Sequence, residues 1–347
     1  MKSVLVSLIS GQTIPNLLLI KEFAAKYDEL LFITTVEMEG RGNFANSRSR
    51  WIERSCKIAE GSSRRIEVAE DSWTDITEKL NSLGDSDDIR YMVNLTGGTK
   101  IMTLAVFEYF SRPGNIIYYI PFPKNEYHEL FPNRNSHINK LKYRCNLEEY
   151  LLAHGLFFQT NNEILAPIEH TNVFFEKIKA KKFNLLEIPE ISLAHDMADP
   201  QLKSYYSGGW FEEYFYHLLS ERLKLNEKKI ALNIKLSRNP DDINNDNEYD
   251  VMFVKSNALY VIEAKVSVGL KPSSTKLRMD QILYKLGAIT RDFGLRVNSY
   301  VATLNHLVDE TGKLSSYLEK RCRLLGVKGI IEQSNFKNTT EITNKFK

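Results

Sequence analysis

The sequence predicts an α/β protein with two principal domains, for three reasons. The chain has 347 residues, a length that at about 150 residues per domain fits two domains and a connector. Short apolar runs alternate with helix-length segments in the first half, and two adjoining apolar runs in the second half carry acidic residues. Hydrophobic residues make up 43% and charged residues 26%, so the composition excludes bulk disorder, collagen-like repeats and a coiled-coil rod.

The first half is expected to form a parallel sheet. Strands are predicted over residues 4–9, 30–34, 65–69, 91–95 and 116–120, with intervening helices over 17–27, 45–59, 73–83 and 99–109. Repeated strand–helix–strand units imply parallel strands, right-handed crossovers and helices on both faces of the sheet. The pattern therefore predicts a Rossmann-like domain over residues 1–137.

Charge and cysteine usage narrow the class of protein. A formal net charge of +2 excludes a strongly basic nucleic-acid coat, although it is compatible with a local basic channel. The cysteines Cys56, Cys145 and Cys322 lie far apart, which disfavours a disulfide scaffold or a zinc knuckle and favours the reducing cytoplasm. The apolar run over 4–9 is explained better by a buried strand than by a signal peptide, and no window approaches the roughly 20 apolar residues of a membrane span.

Two loops at one edge of the predicted sheet are candidates for ligand binding, because ligands of such sheets lie beyond the carboxyl ends of the strands. Their candidate residues are Ser10, Gln12 and Thr13 in the first loop and Thr96, Gly97, Gly98, Thr99 and Lys100 in the second. The glycines let backbone N–H groups approach an anion and the following helix adds its positive end, so a phosphate-bearing ligand is favoured. A tight turn beside a solvated lysine is the ordinary alternative. NAD, FAD and Walker A motifs are absent.

A helical connector is predicted over residues 138–200. Asn146 is expected to cap a helix, with Glu149 reaching back to it, and a further helix is expected over 174–182. The two helices would form either a small DNA-binding helix pair or, as we favour, a spacer between larger domains.

The last part of the chain, residues 201–347, contains the acidic residues and the lysine that suggest catalysis. A helix from Trp210 to about residue 223 is expected to bury an aromatic stripe beside Glu212 and Glu213, and strands are predicted over 230–236, 248–254 and 258–266. Because side chains alternate along a strand, Glu263 and Lys265 should face the same side.

Asp250, on the neighbouring strand, can join Glu263 and Lys265. Acidic side chains inside apolar strands are costly to bury without partners, and carboxylate oxygens suit Mg²⁺ or Mn²⁺. A metal held there would polarise a phosphodiester, and the lysine would orient or deprotonate water or neutralise phosphate charge. The alternative is a structural ion pair on a half-exposed sheet. Lys285, on the next predicted helix, is either a substrate contact or a solvated charge.

These motifs together resemble one known family. Asp250 with Glu263-Ala264-Lys265 resembles the PD-(D/E)xK restriction-endonuclease-like core, although Tyr249 stands in the place of the proline. The loops over 10–16 and 95–100 look like those of a CARF domain, the CRISPR-associated Rossmann fold. With Gly208-Gly209-Trp210-Phe211-Glu212-Glu213, the combination resembles the cyclic-oligoadenylate-activated nucleases of type III CRISPR systems.

The resemblance implies roles for individual residues. It implies a homodimer in which two CARF domains bind one cyclic tetra-adenylate through the candidate loop residues. Asp250 and Glu263 become metal ligands, Lys265 becomes the catalytic lysine, and Glu212 or alternatively Glu213 becomes a carboxylate near the metal. The substrate would be single-stranded RNA or DNA, with nicking of duplex DNA also compatible. The competing hypotheses are a non-enzymatic, ligand-responsive regulator and a constitutive DNA-repair-type nuclease.

Overall fold

The computed structural model forms two compact units. It describes residues 1–84, 88–121, 123–133, 138–160, 163–239, 241, 248–267 and 272–346. Unit 1 contains Met1–Phe157 together with two short segments from later in the chain, around Arg238 and over Phe293–Arg296, and unit 2 contains the remainder. No helix in the described part of the chain is long and apolar enough to cross a bilayer.

Unit 1 is built on one sheet flanked by helices. Its elements are β1 (Lys2–Leu8), α1 (Ile14–Glu22), β2 (Glu29–Thr34), α2 (Arg48–Cys56), β3 (Arg64–Glu67), α3 (Trp73–Asn81), β4 (Ile89–Asn94), α4 (Lys100–Phe110), β5 (Ile116–Tyr119), β6 (Glu126–Phe131), β7 (Ile138–Lys140) and α5 (Leu147–Ala153). The strand order is β3-β2-β1-β4-β5-β6-β7, and the first five strands pair in parallel. The prediction of a parallel α/β sheet is confirmed.

Antiparallel β6 and β7 extend this sheet beyond the predicted strands. Every residue of β6 is only half-buried, so this strand lacks the continuous apolar run that marks the central strands. The core lies where β1 meets its neighbours: Val4, Val6 and Leu8 are at most 2% exposed and pack with apolar residues of β2, β4 and α4.

The capping box predicted at Asn146 is confirmed. The Asn146 side chain accepts from the N–H of Glu149 at 2.8 Å, and the Asn146 N–H donates to the Glu149 carboxylate at 3.0 Å. These two bonds start α5, which lies in unit 1. The three-part division of the chain proposed from the sequence stays a prediction.

Unit 2 is built on a mixed sheet in the order β13-β12-β11-β10-β9-β8. Its elements are β8 (Phe157–Thr160), α6 (Ile168–Ala180), α7 (Pro189–Ser192), α8 (Pro200–Ser204), α9 (Trp210–Leu223), β9 (Ile230–Ser237), β10 (Glu248–Lys255), β11 (Ala258–Lys265), α10 (Pro272–Ile289), β12 (Val297–Thr303), α11 (Ser316–Leu325), β13 (Gly329–Ile331) and α12 (Thr339–Asn344). Strand β10 pairs antiparallel with β9 and β11, and β11, β12 and β13 run parallel.

The aromatic stripe predicted on α9 is buried. Trp210, Phe211 and Phe215 are fully inaccessible and share one apolar core with Val251 of β10 and Ile262 of β11. The burial fixes the rotation of α9 about its axis, and with it the direction in which each acidic residue of its first turn points.

Candidate functional sites

Strands β10 and β11 bring two carboxylates and a lysine together. The Nζ of Lys265 lies 3.0 Å from Oδ2 of Asp250 and 3.1 Å from Oε1 of Glu263. The N–H of Ala264 donates to the same Asp250 oxygen at 2.7 Å. Both carboxylates are buried, whereas Lys265 is 36% exposed, so the site opens to solvent on the lysine side. The expected shared face of Glu263 and Lys265 is present.

The charged form of Asp250 is disfavoured at this site, whereas the charged form of Lys265 is favoured. Burial, reinforced by repulsion from Glu263, raises the pKa of Asp250 to about 6. Burial alone would lower the pKa of Lys265, but attraction to Asp250 and Glu263 outweighs it and the pKa is raised. The lysine therefore carries its charge throughout the physiological range and cannot serve as a base in this arrangement.

The two acidic residues at the start of α9 have different surroundings. Burial and repulsion from Asp250 raise the pKa of Glu212 to about 8, which places this carboxyl in the electrostatic field of the site. Glu213 instead accepts a hydrogen bond from the Leu165 N–H at 2.7 Å, and burial raises its pKa. Glu213 thus holds the segment before α6, and Glu212 is the residue of the pair whose pKa is affected by the charge of Asp250.

This difference predicts contrasting effects of two neighbouring substitutions. If this site hydrolyses phosphodiesters, as the family resemblance implies, Glu212→Gln is expected to reduce cleavage by about a hundredfold or more, because an amide cannot accept a proton from an attacking water. Its melting temperature should stay close to that of the parent at neutral pH, since the Glu212 pKa is already raised to about 8. Glu213→Gln keeps an oxygen acceptor for Leu165 and should retain most of the activity. The reverse ranking in a cleavage assay would assign the role to Glu213.

Lys285 of α10 also lies at this site, with Nζ 3.8 Å from Oε1 of Glu263.

Among the described residues no three His, Cys, Asp or Glu side chains form a cluster suited to bind a metal ion by themselves. A metal bound here would therefore depend on Asp250 and Glu263, with water and substrate oxygens as further ligands, as is common for Mg²⁺.

A second candidate site lies in unit 1, at the carboxyl edge of the sheet. It is a cavity of about 290 Å³, lined by Ser10, Gln12, Ile14, Pro15, Thr96, Gly97, Gly98, Tyr119, Ile120, Leu295 and Arg296. Both candidate loops of the sequence analysis contribute to it. The hydroxyl of Thr96 accepts from the Ile120 N–H at 2.7 Å, and the Thr96 N–H donates to Asn94 at 3.0 Å. These bonds hold the second loop across the ends of β4 and β5.

Three predicted ligand residues do not line this cavity. The Thr13 hydroxyl is buried and donates to the Ala153 carbonyl at 2.5 Å. The Thr99 side chain caps α4 by accepting from the Met102 N–H and donates to the Glu70 carbonyl. Lys100 is exposed at the start of α4. For these three residues a ligand role stays a prediction.

Sequence reasoning missed four residue positions at the cavity that lie outside the two loops. They are Tyr119 and Ile120 at the end of β5, and Leu295 and Arg296 from the second half of the chain. The first two were detectable, because the end of a parallel strand lies at the ligand edge. The sequence contains no local signal for the other two.

Two family models match the chain in succession. Residues 4–150 match the model described as the Card1 CARF domain, and residues 199–333 match the Card1-like endonuclease domain. The first match contains the cavity loops, and the second contains Glu212, Asp250, Glu263 and Lys265. No match to a curated protein was found.

Solved structures share the fold over nearly the whole chain. Can2 from Sulfobacillus thermosulfidooxidans, solved with cyclic tetra-adenylate, aligns with a TM-score of 0.74 at 19% identity and 99% coverage of both chains. VC1899 from Vibrio cholerae aligns with a TM-score of 0.76 at 15% identity, over 99% of this chain and 97% of that one. A type III CRISPR defence DNA nuclease activated by cyclic oligoadenylate aligns at 0.60 and 17% identity, over 93% of this chain and 52% of that one. The two family matches together show that the chain has a Card1 CARF domain followed by a Card1-like endonuclease domain.

Proposed function

We propose that this protein is a metal-dependent endonuclease of type III CRISPR antiviral defence, switched on by cyclic tetra-adenylate. The observation that carries the proposal is the convergence of Asp250, Glu263 and Lys265 in a domain matched by an endonuclease model, in the same chain as a CARF domain. Buried charges are costly to hold for stability alone, so two buried carboxylates around a lysine favour a catalytic role over a purely structural ion pair.

The residues of this site fit a divalent cation, Mn²⁺ or Mg²⁺. Asp250 and Glu263 offer hard oxygen ligands. Burial, with repulsion between carboxylates as the second cause, raises the pKa of Asp250 and Glu212, and a nearby positive ion would offset both effects. When bound, the cation would polarise the scissile phosphate and make a water molecule more acidic.

Lys265 and Glu212 supply the remaining chemistry. We assign the protonated lysine to holding a phosphate oxygen and to stabilising the charge that develops in the transition state. We assign Glu212 to orienting the attacking water, because the charge of Asp250 acts on its carboxyl and raises its pKa together with burial. Lys285, next to Glu263, would contact a flanking phosphate of the substrate.

The unit 1 cavity is proposed to bind the activator. Can2, which shares the fold, was solved with cyclic tetra-adenylate. The cavity of about 290 Å³ is at the lower limit for a drug-sized ligand, so one chain encloses only part of a cyclic oligonucleotide. A homodimer that places two such cavities around one symmetric ligand completes the site.

For the substrate we propose single-stranded RNA or DNA cleaved with little sequence preference, with nicking of duplex DNA as a further activity. The described cysteines are buried thiols, as expected in a reducing compartment, and we assign the protein to the cytoplasm.

One experiment tests this function. The purified chain is incubated with labelled single-stranded RNA, single-stranded DNA or supercoiled plasmid, with Mn²⁺, Mg²⁺ or a chelator, and with or without cyclic tetra-adenylate. We expect cleavage only when both the cation and the activator are present. Cleavage without activator would indicate a constitutive nuclease, and ligand binding without any cleavage would indicate a regulator.

A further inference from the structure

A short segment of the endonuclease sequence belongs to the CARF unit. Phe293–Arg296 lies within the endonuclease model match yet packs in unit 1. Phe293 is 1% exposed, and its carbonyl accepts from the Tyr150 hydroxyl at 2.9 Å. At Gly294 a β-carbon would lie 2.5 Å from Nε2 of His154, so the backbone lies directly against that ring. The segment is therefore an integral part of unit 1.

Two residues of this segment line the cavity proposed for the activator. The Leu295 N–H donates to Oε1 of Gln12 at 3.1 Å, which joins the segment to the first CARF loop. Arg296 is 7% exposed and donates from Nη2 to the Lys124 carbonyl at 3.0 Å. The guanidinium is thus fixed at the wall of a cavity whose other polar groups are neutral hydroxyls, amides and backbone. Arginine presents several N–H donors in one plane, a geometry that matches a phosphate.

The segment is also covalently continuous with two elements of the nuclease site. It follows α10, whose Lys285 lies 3.8 Å from Glu263 and whose last residue, Ile289, accepts from the Tyr249 hydroxyl at 3.3 Å. It precedes β12, whose parallel pairing with β11 places Val301 opposite Glu263. A shift of Phe293–Arg296 would therefore act along the chain on α10, which contains Lys285, and on β12, which pairs with β11.

We propose that Arg296 is an activator-binding residue contributed by the endonuclease sequence, and that Phe293–Arg296 couples occupancy of the cavity to the nuclease site. The inference rests on the proposed function and identifies the part of the chain through which the activator acts. Coupling requires that the ligand bind more tightly to one position of the segment than to another, and a charged hydrogen bond from Arg296 to phosphate supplies such a difference when it forms in only one of the two positions.

The binding part is tested by measuring the Kd of fluorescently labelled cyclic tetra-adenylate for the full chain and its variants. Arg296→Gln is expected to weaken binding by about ten- to a hundredfold, the effect of losing a charged hydrogen bond. Arg296→Lys keeps the positive charge, so its Kd should lie between those of the wild-type chain and Arg296→Gln. The matched control is Arg291→Gln, an exposed arginine just before the segment that does not line the cavity. A wild-type Kd for Arg296→Gln would overturn the assignment.

The coupling part is tested with Gln12→Leu, which removes the acceptor for the Leu295 N–H. At saturating activator this variant should cleave at least about tenfold more slowly than Arg291→Gln, because bound ligand no longer controls the segment. A wild-type cleavage rate for Gln12→Leu at saturating activator would disprove the coupling.

If the wild-type chain bound no cyclic tetra-adenylate, the proposed function and this inference would both be disproved. If it bound the ligand without stimulation, only the gating and the coupling would be disproved, and the Kd series would still decide the role of Arg296.

Discussion

Asp250→Asn is expected to abolish cleavage and leave activator binding unchanged. The substitution keeps an oxygen that can accept from the Ala264 N–H but removes one of the two carboxylates proposed to hold the cation. A loss of at least about a thousandfold in the cleavage rate is expected, the scale seen when a group acting on the transition-state charge is removed. The rate is measured on labelled single-stranded RNA and DNA at saturating activator and Mn²⁺.

The same substitution should not lower stability. Burial and repulsion from Glu263 raise the pKa of Asp250 to about 6, so the folded protein disfavours its charged form. A neutral amide relieves that repulsion, and the melting temperature in the absence of metal should stay the same or rise. Loss of activity together with unfolding would therefore contradict the assigned role, because it would mark Asp250 as a structural residue.

Lys255→Met is the matched control. It removes an ammonium from the opposite end of the same pair of strands, where Nζ donates to the Phe346 carbonyl at 2.9 Å. The variant should lose some stability and keep its cleavage rate. If Asp250→Asn cleaved as fast as this control, the nuclease site would lie outside β10 and β11.

The convergence of Asp250, Glu263 and Lys265 was predictable because it depends on local periodicity. Side chains alternate along a strand, so Glu263 and Lys265 had to share a face wherever β11 formed. Antiparallel pairing of β11 with the preceding strand β10, through a tight turn, then placed Asp250 within reach of Glu263 and Lys265. The choice between Glu212 and Glu213 was not predictable, because it depends on how α9 rotates when Trp210 and its neighbours become buried.

The cavity was predictable only in part, because loop side chains have competing partners. Thr13 and Thr99 have hydroxyls at the right edge of the sheet, yet both donate to nearby carbonyls. A sequence does not reveal whether a loop hydroxyl donates to a carbonyl elsewhere in the protein or to a ligand. Leu295 meets Gln12 across 283 positions, a contact that no periodic pattern encodes.

Gly97→Ala is expected to suppress the response to the activator. Gly97 has φ +129, and a β-carbon there would lie 3.0 Å from the Leu8 carbonyl and 3.1 Å from Oγ of Ser10, which also lines the cavity. Alanine in this conformation costs about 1–3 kcal/mol, so the loop is expected to move to relieve the strain. Such a movement displaces the donors of both loops at once, and the activator concentration for half-maximal cleavage should rise by at least about tenfold.

The control for this prediction is Gly114→Ala in the same unit. Gly114 has φ +89, which also disfavours alanine, but a β-carbon there would meet nothing within 4 Å. The two variants therefore share the backbone penalty and differ in contact with the cavity. Both should melt below the wild-type chain, whereas only Gly97→Ala should need more activator. An equal shift in activator dependence for both variants would mean that general destabilisation causes it, and unchanged activation of Gly97→Ala would remove the second loop from the activator site.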